Sequence, residues 1–373
     1  MAKGKVLVVG AGIGGLCTAW GLVRRGFAVE VFEQGSIPNP RSSSYDEHRI
    51  TRHAYGDFAG YARLMPEAFR VYDELFAEIG ATHFDPLPLL VIQREEIGWF
   101  TKSMGSMDEL AVPYRDVPVR ELAGRYPMLD PEGVTAAFEC EGAGVLFPIR
   151  ILTDLVVHLA GRGVVFHPNT KVEAVDPERG ALTVGAQVHA GDAVVVAAGA
   201  WAGRLVPSLA GLAVPSRQIV LYVAPPPGLH AAWRDAPAII DLGERSGTYT
   251  LPPRPGTRLK VGDHHFTRLG DPDDDRVATE VDTVRLLAAA RLAYRDFDRY
   301  AVLERKVCYY TVTEDEGFLV EPIGAAGYLQ SACSGHGFKL AALIGDGLAR
   351  AISGEMRKDD LPGWAAGKAA LAA

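Results

Sequence analysis

The first 33 residues constrain the fold more than any other stretch of the chain. Lys5 to Val9 is an apolar run of strand character, and Gly10-Ala-Gly-Ile-Gly-Gly15 follows it directly. Residues 14–25 carry helical apolar spacing that stops at Gly26, and Ala28 to Phe32 is a second β-branched and aromatic run closed by Glu33. Strand, glycine turn, helix and strand make a βαβ unit, and Gly10-x-Gly12-x-x-Gly15 within it is a dinucleotide fingerprint. The first glycine makes the tight turn, the second lets the backbone approach a pyrophosphate, and the third lets helix and strand pack closely. The helix then turns its unpaired amides toward the phosphates. Glu33 is placed to accept hydrogen bonds from a ribose and disfavours a 2′-phosphate, so NADP is not expected. The fingerprint itself does not choose between FAD and NAD.

The rest of the chain sets the class. At 373 residues it fits about two domains, and 48% hydrophobic residues give ample apolar area for cores. A net charge of -8 argues against general affinity for nucleic acid or an anionic membrane. No apolar run approaches the roughly 20 residues of a membrane helix. The basic start, Met1-Ala-Lys-Gly-Lys5, leads into a short stretch broken by glycines, which reads as a strand and turn and not as a signal peptide. Four scattered cysteines without Cys-x-x-Cys spacing imply neither a disulfide framework nor a zinc site. The expectation is a cytoplasmic protein without a metal.

Further along, residues 36–47 read as a loop rich in Pro, Ser and charge, and Tyr61 to Ile79 as a long amphipathic helix. Strands are expected at Leu89–Gln93, Val145–Phe147, Val164–Phe166, Lys171–Val175 and Ala193–Ala197, with a helix from Pro148 to Ala160. Several strand-like stretches in 216–262, separated by Pro and Gly, suggest a mostly antiparallel sheet. Residues 276–293 read as a helix, Ala301 to Val312 as a strand and Tyr328 to Ser331 as a last short one. Ser-Gly-His-Gly at 334–337 then leads into a helix from Phe338 to Ile352.

Residues Ala19, Leu22, Gly26, Val29 and Val31 extend the fingerprint in a way that resembles FAD-binding oxidoreductases of the glutathione-reductase type. Val194-Val-Val-Ala-Ala-Gly199 resembles the distal flavin motif of that group. Four more segments narrow the likeness: His48-Arg-Ile-Thr-Arg-His-Ala-Tyr-Gly56, Leu259-Lys-Val-Gly-Asp-His264, Lys306-Val-Cys-Tyr-Tyr-Thr311 and Ser334-Gly-His-Gly-Phe-Lys339. In order and spacing, along nearly the whole chain, they resemble the monomeric sarcosine oxidase and N-methyltryptophan oxidase family.

That resemblance implies an α/β fold with a discontinuous FAD-binding, Rossmann-like domain (1–80, 148–215 and 310–373). It also implies a substrate domain built on a mostly antiparallel sheet (81–147 and 216–309). It implies FAD bonded covalently through the sulfur of Cys308, although a lone cysteine is most often a buried structural thiol. Arg52 and Lys339 would clamp a substrate carboxylate, a pairing in which arginine offers a bidentate fork. Tyr310, two residues from Cys308 and on the same side of a strand, would wall the substrate cavity, with Tyr249 beside it. Lys260 would assist oxygen reduction, because a desolvated cation stabilises the charge oxygen takes up. His264, four residues on, would share the inward face with Lys260 near the substrate amine. Arg49 would pack beside the flavin ring. Ser43, Ser44, Val172 and the segment Gly335, His336, Gly337 and Phe338 complete the implied cofactor contacts, together with Lys339.

The implied reaction is oxidation of the C–N bond of an amino acid or N-alkyl amino acid to an imine, with molecular oxygen becoming hydrogen peroxide, by a monomeric enzyme. Two other readings stay open: an amino acid dehydrogenase with another electron acceptor, and a nucleotide-binding subunit without turnover. Asp46 and Glu47 depart from the small residues usual in the family just before its arginine pair. His48 likewise replaces a small hydroxyl residue.

Overall fold

The computed structural model describes residues 2–368. Met1 and residues 369–373, which the expected cofactor domain includes, lie outside the described residues. The chain opens with the expected unit: β1 (Lys5–Val9), α1 (Ile13–Arg24) and β2 (Ala28–Phe32). β1 sits inside a six-stranded sheet, between Ala193–Val196 and β2, and pairs with both in parallel. Val165–His167 closes one edge in parallel, while Gly327–Ser331 and the antiparallel Leu319–Pro322 extend the other. A parallel strand is buried on both faces, which is why β1 reads as a continuous apolar run and not as an alternation.

Helices cover one face of this sheet. α1, Ala59–Ile79, Pro148–Gly161 and Ala341–Ser353 share a single apolar core through Leu16, Met65, Leu155 and Leu348. α1 and Ala341–Ser353 pack closely because small residues face each other. A Cβ on Gly345 would stand 2.6 Å from the Cys17 carbonyl carbon, and one on Gly21 2.8 Å from Ala349 Cβ. A three-stranded antiparallel sheet (Ala174–Asp176, Ala181–Val184, Gln187–Ala190) covers the other face, with Leu182 against Leu7, Phe32 and Val194.

The second large sheet has eight strands. Its order runs Ala301–Val312, Val214–Ala224, Leu259–Gly262, Thr248–Leu251, Ala238–Leu242, Leu89–Gln93, Ala136–Cys140 and Tyr114–Asp116. Every pairing is antiparallel except that of Leu89–Gln93 with Ala238–Leu242. One face packs under the helix Glu280–Ala293 and the shorter Val119–Arg125, through Leu122, Leu286 and Ala290. The strand Ala301–Val312 pairs with Val214–Ala224 as far as Val312, so the division expected at residue 310 falls inside a strand of this sheet.

Three local expectations need correction. The helix expected from residue 276 starts at Glu280, because Thr279 caps it: its hydroxyl accepts the Asp282 amide and its own amide donates to the Asp282 carboxylate. The strand expected at Lys171–Val175 lies at Ala174–Asp176. The helix expected from Phe338 opens with a 3₁₀ turn, Phe338–Leu340, before Ala341–Ser353. Among the described residues no helix is long and apolar enough to cross a membrane.

Candidate active site

The glycine turn leaves room for a ligand and for nothing else. Gly10 has φ +106°, and a Cβ there would collide with the Ala197 carbonyl. A Cβ on Gly15 would collide with the Gly10 carbonyl, so this third glycine serves packing. A Cβ on Gly12 would meet no protein backbone, only Ser44 Oγ at 3.3 Å. The N-cap residue Gly12 offers α1 no side chain and its first turn holds no acid, so its positive end, apart from the Ile13 amide, is open to a phosphate. Ser44 Oγ accepts the Ile13 amide at 3.0 Å. Glu33 accepts the Ala11 amide through Oε2 and both the Gly35 amide and Asn39 Nδ2 through Oε1. A carboxylate has about four acceptor sites, so Glu33 is fixed in place with capacity left for a hydroxyl.

An elongated cavity starts at these residues. Gly10, Gly12, Glu33, Ser43, Ser44, Val172 and Gly199 line its nucleotide end, and Arg49, Tyr310, Gly335, Gly337 and Phe338 its far end. The acid-free helix end, the Glu33 carboxylate and a cavity that continues from them to Arg49 and Tyr310 fit FAD. At the far chamber the backbone is strained: Ala332 and Ser334 take φ of 51° and 44°, with Gly335 at 77°. Left-handed non-glycine residues cost energy and cluster at functional sites. Gly15, Cys308, His336 and Lys339 do not line the cavity.

Arg52 and Lys339 do not line this cavity but are brought together over the ring of Tyr55. The Arg52 guanidinium carbon and the Lys339 ammonium each stand 5.0 Å from the ring centroid of Tyr55, and Trp99 flanks Arg52 at 5.3 Å. Arg52 Nε and Nη1 are buried without a partner, and Lys339 donates only to the His336 carbonyl at 3.3 Å. Burial lowers the pKa of Lys339 well below the usual lysine range, and the Arg52 charge adds to this. Burial also lowers that of Arg52. Two buried cations without an acid among the described residues are costly unless an anion joins them.

Lys260 lies on the strand Leu259–Gly262 and is fully buried. It pairs in register with Tyr222, so both side chains leave the same face of the sheet, and both end on Asp46. Lys260 Nζ lies 2.6 Å from Asp46 Oδ2 and 3.3 Å from the His48 carbonyl. Burial pushes its pKa down to about 8, against the pull of Asp46. Arg49 Nη1 lies 2.9 Å from Asp46 Oδ2, and Nη2 donates to the Ser43 carbonyl at 2.7 Å.

Cys308 shares the strand Ala301–Val312 and an apolar cluster with Tyr310. Burial raises its pKa, while the charges of Arg49, Lys260 and Lys306 pull it down. Tyr249 lies in the same electrostatic neighbourhood, with Lys260 Nζ 5.9 Å from its ring.

His264 is not where alternation placed it. The strand ends at Gly262, so residue 264 belongs to a loop; it is 64% exposed and pairs with Glu316 at 2.9 Å. His336 also departs from the expectation. Its ring is buried among Tyr55, Phe58, Tyr61 and Phe318 and does not line the cofactor cavity, and Nε2 meets the Glu316 carbonyl at 3.0 Å. Burial lowers its pKa well below the usual histidine value. The sequence reading overlooked Asn39, which orients Glu33, and Trp201 and Gln330 in the cavity wall. It noted Asp46 only as a departure.

The family described as "FAD dependent oxidoreductase" matches residues 5–351. Monomeric sarcosine oxidase of Bacillus sp. (strain B-0618) is 26% identical over 366 residues, covering 95% of this chain and 93% of the relative. Peroxisomal sarcosine oxidase of Homo sapiens is 28% identical over 358 residues, covering 91% and 89%. Among solved structures, L-proline dehydrogenase from P. horikoshii superposes with a TM-score of 0.80 at 20% identity, covering 98% of this chain and 97% of that one. A modified fructosyl peptide oxidase from Aspergillus nidulans gives 0.82 at 22% identity, covering 96% and 93%. At those identities the two structures speak for the fold.

Proposed function

The chain belongs to the family of FAD-dependent oxidoreductases, and on that premise we propose that it oxidises the C–N bond of a carboxylate-bearing amine, such as an N-methyl or cyclic amino acid. The observation that carries this reading is the pair of buried, acid-free cations, Arg52 and Lys339, over Tyr55. They bind the substrate carboxylate and so fix the direction of its amine. FAD, when bound, supplies the two-electron acceptor for the C–H bond beside the nitrogen.

Tyr310 walls the chamber with Tyr249 beside it, and their burial keeps both phenols protonated at neutral pH. The substrate reacts as the free amine, and the imine product hydrolyses in water. Oxygen takes up the electrons as hydrogen peroxide, with the Lys260 ammonium beside the site of charge development. The covalent link through Cys308 belongs to the same proposal. Its position beside Tyr310 and near the charges of Arg49 and Lys260 supports it. A monomer in the cytoplasm is the setting proposed.

A peroxide-coupled screen over N-methyl, cyclic and primary amino acids tests the reading. Turnover of at least one acid, with none of the matching amine that lacks the carboxylate, is expected; equal turnover of both rules out the clamp. Flavin colour that stays with the acid-precipitated chain, and is lost from it in Cys308→Ala, is expected of the covalent link.

A further inference from the structure

The loop 36–48 carries one acid into the centre of the molecule. Asp46 is 2% exposed, and its Oδ2 holds Lys260 Nζ at 2.6 Å and Arg49 Nη1 at 2.9 Å. Its Oδ1 accepts the Tyr222 hydroxyl and the Glu47 amide, and Lys306 Nζ stands 4.0 Å away. We propose that Asp46 is a positioning residue for the return of electrons from the reduced flavin: it fixes Arg49 at the cavity wall and holds the Lys260 ammonium charged beside it. This rests on the reading that Lys260 assists oxygen reduction.

The charge balance argues for it. Lys260 is met by Asp46 and His48 from the loop, Arg49 from the strand Arg49–Thr51, Tyr222 from Val214–Ala224, Tyr249 from Thr248–Leu251, and Cys308 from Ala301–Val312, while Lys306 of that last strand faces Asp46. Asp46 is the one carboxylate in that company. The neighbouring cations hold it well below the usual carboxylate range, so it is ionised at working pH. Burial and Arg49 both favour a neutral Lys260, and Asp46 opposes them. In the step concerned, two electrons and two protons pass from reduced flavin to oxygen, leaving oxidised flavin and hydrogen peroxide. The first electron puts a negative charge on oxygen, which a neighbouring ammonium stabilises and a neutral amine does not.

The test uses the flavin-loaded enzyme and its Asp46→Asn, Lys260→Met and Tyr222→Phe variants. Each is reduced anaerobically by one equivalent of dithionite and mixed with oxygen across pH 6–10, and the absorbance of the resting flavin is titrated over the same range. In Asp46→Asn, reoxidation at pH 9 is expected to slow about tenfold, and its midpoint and the spectral midpoint to move about one unit toward acid. Tyr222→Phe leaves the carboxylate less dispersed and is expected to move both midpoints toward alkali, which keeps the proposal testable should Asp46→Asn fail to fold. If Lys260→Met slows reoxidation while the other two variants leave the midpoints in place, the role of Asp46 is overturned and that of Lys260 stands. If Lys260→Met reoxidises at the parent rate, the premise fails and the proposal with it.

Discussion

Arg52 and Lys339 share one aromatic ring: each cationic centre stands 5.0 Å from the centroid of Tyr55. Cation–π contact offsets part of the cost of burying the two charges, but it leaves Arg52 Nε and Nη1 without acceptors. A carboxylate seated between them satisfies those donors. Charge-assisted hydrogen bonds contribute roughly 1.5–3 kcal/mol. Arg52→Met or Lys339→Met is therefore expected to lower kcat/KM by about 10–100-fold, read as steady-state peroxide production. The rate at which dithionite-reduced flavin is reoxidised by oxygen should be unchanged in both variants.

Proton uptake follows from the same pair. Lys339 has its pKa lowered, by burial first and by Arg52 second. An arriving carboxylate favours the ammonium and raises that pKa, so binding takes up a proton wherever the free enzyme holds the amine neutral. Affinity for a simple aliphatic carboxylate without an amine is expected to fall as pH rises through the pKa of the free enzyme. Titration calorimetry in buffers of different ionisation enthalpy measures the uptake. A binding enthalpy independent of buffer across that range would show that Lys339 is charged before the ligand arrives.

The cofactor end of this site was legible in the sequence because its chemistry is local. Gly10, Gly12, Gly15 and Glu33 lie within one βαβ unit, and each is where the fingerprint places it. The strands Leu89–Gln93 and Ala301–Val312 were legible from apolar and β-branched runs alone. His264 was misplaced because alternation was carried past Gly262, where the strand stops and the period of two no longer applies. The environment of Asp46 was not legible: its charged partners lie 3 to 260 positions away, and only the sheet register that brings Tyr222 beside Lys260 assembles them. The ring of His336 is held by Phe318 and by three aromatics of one distant segment, Tyr55, Phe58 and Tyr61, which no local pattern announces.

The packing of α1 against Ala341–Ser353 gives a prediction about the cofactor end. A Cβ on Gly345 meets Cys17 and Thr18 main-chain atoms at 2.6 and 2.7 Å, and backbone cannot swing aside as a side chain can. Gly345→Ala is expected to destabilise the protein by roughly 1–3 kcal/mol through overpacking. It should also weaken non-covalent flavin retention, because α1 carries the glycine turn to which we assign the phosphates. Thermal denaturation with and without added FAD measures both effects. A parent-like Tm would mean that the two helices can separate without loss.

Acid sensitivity follows from three buried histidines. Burial pushes His53 down to about 4 and His48 down to about 3, and lowers His336 well below the usual value. An unfolded histidine titrates at about 6.5, so between that value and the folded values the unfolded state binds more protons than the folded state. Stability contributed by these neutral rings is therefore fully present above pH 6.5 and falls as pH drops through the folded values. Each ring adds a slope of up to about 1.4 kcal/mol per pH unit in that window. Urea unfolding between pH 7 and 4 should show the loss. His53→Gln keeps a polar side chain that does not titrate there, and is expected to flatten the slope by about one proton. An unchanged slope in His53→Gln would mean that the ring is already protonated in the folded protein, or reaches water readily enough to keep its ordinary pKa.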